Sequence, residues 1–131
     1  MVTSTYSHPA FKVGDGKDID LNGTTLRNGF IEVDVTNTVV TKAFADTGYT
    51  LIGSDYAVLG NAVGGAITLN LPTAVGISGK IYVIKKIDAS GNAITVDADG
   101  AETIDGALTF SIPGQYDSYT IISDGSNWSI I

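Results

Sequence analysis

The stretch VDADGAETIDG carries four carboxylates close together, Asp97, Asp99, Glu102 and Asp105. Oxygen ligands at such spacing suit a hard cation such as calcium. The stretch lacks the full D-x-D-x-D-G-x5-E order, however, and Gly100 turns the chain away after Asp99. Asp and Gly supply turn geometry by themselves. A solvated hairpin turn is therefore the expectation, and no metal is assigned. Two carboxylates about 5–10 Å apart could also serve as acid and base on a glycoside. Spacing in sequence does not set that distance, and an acidic chain brings carboxylates together by chance.

The other chemical candidates are weaker. His8 is the single histidine and there is no cysteine, so a Ser-His-Asp arrangement has one possible member, in an arm-like region. SHPAF is read as a turn before a docking aromatic. GDGKD at 14–18 has glycines and a lysine, but neither the spacing nor the following helix of a phosphate loop. The triplets NGT and NWS fit the glycosylation pattern, which carries no weight without a secretory signal. No catalytic residue, cofactor or metal ligand is assigned, and the chain is not expected to be an enzyme.

Bulk properties narrow the classes further. The chain has 131 residues and a formal charge of −7. Its first 50 residues hold four basic and six acidic side chains, and the remainder three and eight. No basic cluster exceeds Lys85-Lys86. Sequence-independent binding to nucleic acid needs a cationic footprint, so nucleic acid is not an expected partner, nor is an anionic membrane surface. No stretch approaches the roughly 18 apolar residues of a membrane span. The N-terminus has no basic start followed by an apolar run, so no signal peptide is expected, and Met1 is taken as the natural start.

Such residues must be positioned by strands. Gly, Thr, Val and Ile abound, and short alternating runs are punctuated by Gly, Asp, Asn and Pro, the pattern of an all-β chain. FIEVDVT sets Ile31, Val33 and Val35 on one face. AITLNLP sets Ile67, Leu69 and Leu71 inward and stops at Pro72, which has no N–H for a ladder. KIYVIKKI is apolar on both faces at its start and is read as a central strand. NAITVDA, and ALTFSIP with Leu108, Phe110 and Ile112 aligned, follow. DSYTIIS and NWSII flank an Asp124-Gly125-Ser126 turn and pair as a hairpin, which accounts for a chain ending on Trp-Ser-Ile-Ile. NTVVTKAF, YTLIG and YAVLG are weaker strands. No run has the 3.6-residue period of a long helix. Residues 1–28 are dense in Gly, Asp and Asn and read as an arm, or with DIDLN as one more edge strand. No internal repeat is evident.

Residues 49–131 resemble a small β domain of tailed-phage virion proteins, often found at the C-terminus of tail-fibre and head-appendage chains. The resemblance rests on GGAITLNLP, on GKIYVIKK with IDASGNAITVD after it, on the GAETIDGA turn and on the terminal YTIISDGSNWSII. It does not extend to the first 48 residues. It implies a β-rich virion module, commonly trimeric, that serves structure or attachment. It also implies a place in the virion after synthesis in the bacterial host cytoplasm. Fibre proteins are usually long, with a shaft before this domain, and here only a short lead is expected. The resemblance is therefore taken to imply a compact knob on a capsid or a small tail part.

The expected architecture is a compact β-sandwich or jelly-roll-like barrel, trimeric, over 47–131, preceded by an arm or docking segment over 1–46 with one or two strands. Tyr6, Phe11 and Phe30 are the candidates for docking on a partner, as aromatics anchor interfaces, or else they cover one end of the sandwich. Tyr82, Tyr119, Trp128 and Ile130 are candidates for core or trimer contact. The expected function is capsid decoration by a homotrimer bound to the major capsid protein or another virion protein. The alternative is a fibre tip recognising a host-surface saccharide.

Overall fold

The computed structural model describes residues 18–21, 24–27 and 30–33 as backbone, and residues 37–131 in full. The chain divides at Thr36/Asn37. In the first unit, β1 (Asp18–Leu21), β2 (Thr24–Arg27) and β3 (Phe30–Val33) form an antiparallel three-stranded sheet in sequence order. DIDL is thus a strand, and Phe30 lies opposite Arg27 in the β2–β3 ladder. Tyr6 and Phe11 fall outside the described residues.

The second unit contains β4 (Thr38–Ala43), β5 (Tyr49–Thr50), β6 (Asp55–Asn61), β7 (Ile67–Asn70), β8 (Ile81–Lys86), β9 (Ile94–Asp97), β10 (Thr109–Ile112), β11 (Ser118–Ser123) and β12 (Trp128–Ile130). They make a five-stranded sheet of order β12-β11-β8-β6-β4 and a four-stranded sheet of order β10-β9-β7-β5. The one helical element among the described residues is a single 3-10 turn at Phe44–Asp46. The protein is all-β and sandwich-like, but neither sheet closes on itself, so the barrel alternative is not what forms.

The order of strands shows why. From β4 to β9 the chain alternates between the sheets, and β4-β6-β8 and β5-β7-β9 are each parallel. Three coils wind around one core, after which β10, β11 and β12 add antiparallel. The winding is a repeat in space without a sequence period. Val39 pairs with Ala57, 18 positions on, whereas Ala57 pairs with Val83, 26 positions on. The crossing at 71–80 is longer than that at 51–54, which removes any constant spacing.

Alternation places the core. Val58, Tyr82, Ile84, Ile121 and Trp128 from the larger sheet meet Ile67, Leu69, Ile94, Val96 and Ile112 from the smaller, all enclosed. Burying each aliphatic chain contributes about 1.5–3 kcal/mol. Gly60 faces inward in β6, where a Cβ would fall on the Ile94 side chain, so the absence of a side chain there lets the sheets approach. The terminal hairpin forms as its turn residues require. Asp124 Oδ1 accepts from the backbone N–H of Ser126 at 2.8 Å and of Asn127 at 2.7 Å. Those bonds hold the Asp124 carboxyl below its usual range.

Candidate functional site

The acidic stretch at 97–105 is spent on structure. Asp97 lies on the outer side of β9. The Asp99 carbonyl accepts the Glu102 N–H at 2.9 Å, closing a turn. Glu102 reaches across to the 71–80 crossing, where its two oxygens accept from Thr73 Oγ1 at 2.6 Å and Ala74 N at 2.8 Å. Asp105 Oδ1 accepts from the Ile130 N–H at 3.1 Å. The Glu102 and Asp105 carboxylates point to different partners. Among the described residues no three His, Cys, Asp or Glu gather as a metal-binding group.

Two polar networks sit where the chain crosses between sheets. At the first, Lys86 is fully enclosed at the end of β8, and its Nζ is 2.9 Å from Asp88 Oδ1. The ammonium also donates to the carbonyls of Asp88 at 2.7 Å and Ser90 at 3.0 Å. Asp88 Oδ2 accepts from the Ala62 N–H at 2.6 Å, and Oδ1 from the N–H and hydroxyl of Ser90. Burial pushes the Asp88 carboxyl up. Its bonds from the Ser90 hydroxyl, the Lys86 ammonium and the two backbone N–H groups outweigh that and hold it well below the usual carboxylate range. Every proton of the ammonium is used, which a buried charge requires.

At the second, Asp55 is enclosed and its Oδ2 accepts from Tyr49 Oη at 2.8 Å and Ile52 N at 3.0 Å. Lys80 Nζ donates to the carbonyls of Gly53 at 2.7 Å and Asp55 at 2.9 Å, and Tyr82 Oη to that of Ile52 at 3.1 Å. Burial, then the hydrogen bond to Asp55, pushes the Tyr49 phenol up to about 12. Burial, then the negative charge of Asp55, pushes Tyr82 to about 12 as well. Burial lowers Lys80, and Asp55 partly offsets it. Both networks close loops onto the core.

Of the expected contact residues, Tyr82 and Trp128 are enclosed within the protomer, with ring centroids 5.6 Å apart. The Trp128 indole N–H has no acceptor among the described residues. Tyr119 and Ile130 are half-buried against the same core, and Tyr119 meets Phe110 edge-on at 5.3 Å. None of the four forms an exposed patch.

Two of the exposed large apolar side chains, Val39 and Ile131, lie on the outer face of the five-stranded sheet, among half-buried Ala57, Leu59, Ile81, Val83 and Ile122. There Val39, Ala57, Val83 and Thr120 form one row across β4, β6, β8 and β11. Ile131 continues it, donating its N–H to Thr120 O at 2.8 Å. Ile81, Ile122 and Ser129 form a second row, and Thr41, Leu59, Lys85 and Ser118 a third. No carboxylate occurs in these rows. The outer face of the four-stranded sheet is the reverse. Its rows are Thr50, Asn70, Asp97 and Thr109, then Thr68, Thr95 and Ser111, all polar. The sequence signal for the apolar face is KIYVIKKI, whose second apolar face is Ile81 and Val83, a pattern that a central strand shares.

Compared with family models and with curated proteins, the chain matches none.

Proposed function

We propose that this protein is a structural component of a tailed-phage particle and decorates the capsid as a homotrimer. The observation that carries the reading is the outer face of the five-stranded sheet, which is apolar and free of carboxylates in a chain of charge −7. Solvated sheet faces are ordinarily polar, and a contiguous apolar patch signals association. The resemblance of residues 49–131 to phage virion domains supplies the setting. The mechanism is mechanical. Each trimer binds the major capsid protein or another virion protein through the N-terminal segment, with Tyr6, Phe11 and Phe30 as anchors. Three linked attachment points raise the overall affinity by orders of magnitude over one. The working location is the virion, after synthesis in the host cytoplasm.

A second reading, a host-saccharide-binding tip, is favoured by Tyr116. Its ring is 63% exposed and its backbone has φ of 69°. Lys85 holds its carbonyl at 3.1 Å and sits 5.5 Å from its ring. A bulky side chain held in the left-handed region is a pointer to function. Copy number per particle separates the two readings, measured by quantitative mass spectrometry of purified virions against the major capsid protein. Hundreds of copies are expected for decoration. A dozen or fewer would sink it and favour the tip.

A further inference from the structure

We propose that the outer face of the five-stranded sheet is where copies of this chain pack against one another. The inference rests on the homo-oligomeric reading above and assigns it a surface and a chemistry. The face is built from β-branched and small side chains, Val39, Ala57, Val83, Ile81, Ile122 and Ile131, interrupted only by hydroxyls and by Lys85 toward one margin. Val39 and Ile131, on the edge strand β4 and beyond the edge strand β12, are 65% and 67% exposed. The apolar band therefore runs the full width of the sheet.

Charge selects the occupant. A face that copies share around a symmetry axis must tolerate itself, because equivalent groups meet near that axis. The chain is strongly acidic, and residues 87–131 contain no Lys or Arg at all. This face nevertheless carries no carboxylate, so two copies can approach without burying like charges. A foreign partner adapted to an acidic protein would be met by an acidic surface. This face offers no carboxylate to such a partner.

Size sets the expected strength. Five strands at about 4.8 Å and about five residues at about 3.3 Å give a face of roughly 400 Å² in projection. Two such faces fall below the roughly 1,600 Å² of a standard interface. Assembly through this face alone is therefore expected to loosen on dilution.

The test uses the full-length chain. Sedimentation equilibrium over a dilution series should show a multimer for the wild type and for Thr95→Asp, on the opposite polar face. Val83→Asp should be a monomer with an unchanged circular dichroism spectrum. A wild-type monomer at every concentration overturns the proposal, because residues of the same chain or a foreign partner would then own the face. A multimeric Val83→Asp overturns it as well. If that variant does not fold, single-cysteine variants serve, since the chain has no cysteine of its own. Val83→Cys should form disulfide-linked dimers under mild oxidation and Thr95→Cys should not. Equal cross-linking of the two would overturn the assignment. Copy number on the virion is independent. Many copies with a monomeric wild type would retire only this face, and few copies with a dissociable Val83→Asp would retire only decoration.

Discussion

Val83 and Thr95 hold equivalent places, each on an interior strand of its sheet and each on that sheet's outer face. They have nearly the same shape, with a methyl in one where the other has a hydroxyl. Around Thr95 the neighbours are Thr68 and Ser111. Around Val83 they are Ala57 and Thr120, with Ile81 and Leu59 in the adjoining rows. Both sheets contribute their inner faces to one core, so the core explains neither difference. The contrast teaches that a sheet's inner face reports what the protomer needs to fold. Its outer face is not fixed by that need.

The comparison is broken most severely at the joint the two sheets share. Asp88→Ala leaves the Lys86 ammonium enclosed without its counter-charge, and stability should fall by about 3–5 kcal/mol. Urea unfolding followed by Trp128 fluorescence measures it. Both sheets should melt together, and a loss under 1 kcal/mol would mean that the ammonium finds water. Trp128→Ala should cost a similar amount, about 3–5 kcal/mol, through the cavity it leaves. A negligible shift in thermal midpoint would show that Trp128 does not seal the core.

Acid and alkali probe the two crossings separately. The folded Asp88 carboxyl titrates below its unfolded value, so its contribution is complete above the ordinary carboxylate range and is lost as pH falls through and below that range. Asp88→Asn should flatten the acid limb of the stability profile. Tyr49 and Tyr82 titrate near 12 against an ordinary value of 10.0. Their contribution is complete below 10 and is lost between 10 and 12, and Asp55→Asn should lower the Tyr49 midpoint. Absorbance at the phenolate band follows it, and an unchanged midpoint would remove Asp55 as a cause.

The smallest effects sharpen the contrast most. Thr95→Val and Val83→Thr should each change protomer stability by less than about 0.5 kcal/mol, as surface substitutions do. If copies pack through the five-stranded sheet as proposed, only Val83→Thr should weaken self-association in sedimentation. Equal behaviour of the two variants would mean that the faces do not differ in use.

Much of the fold was legible. AITLNLP gave Ile67, Leu69 and Leu71 inward as they lie, and Asp124-Gly125 marked the last hairpin. Lys85-Lys86 shows the limit. In sequence the pair is a small basic cluster, yet alternation sends Lys85 out and Lys86 into the core. Burial of Lys86 became possible only because Asp88, Ser90 and the turn at Ala62 converge on it from two coils. The acidic run at 97–105 was legible as a turn, but not as the anchor of residues 73–74 and of the last strand.

The sequence by itself determined where strands form and which side chains share a face, because the two-residue period of a strand is a local property of the backbone. Only the tertiary structure decided that β4, β6 and β8 lie parallel, that a lysine is enclosed, and that one outer face carries an apolar band without carboxylates. Those outcomes depend on which distant strands become neighbours. Pairing partners are chosen by the free energy of the whole packed core, which no short window contains.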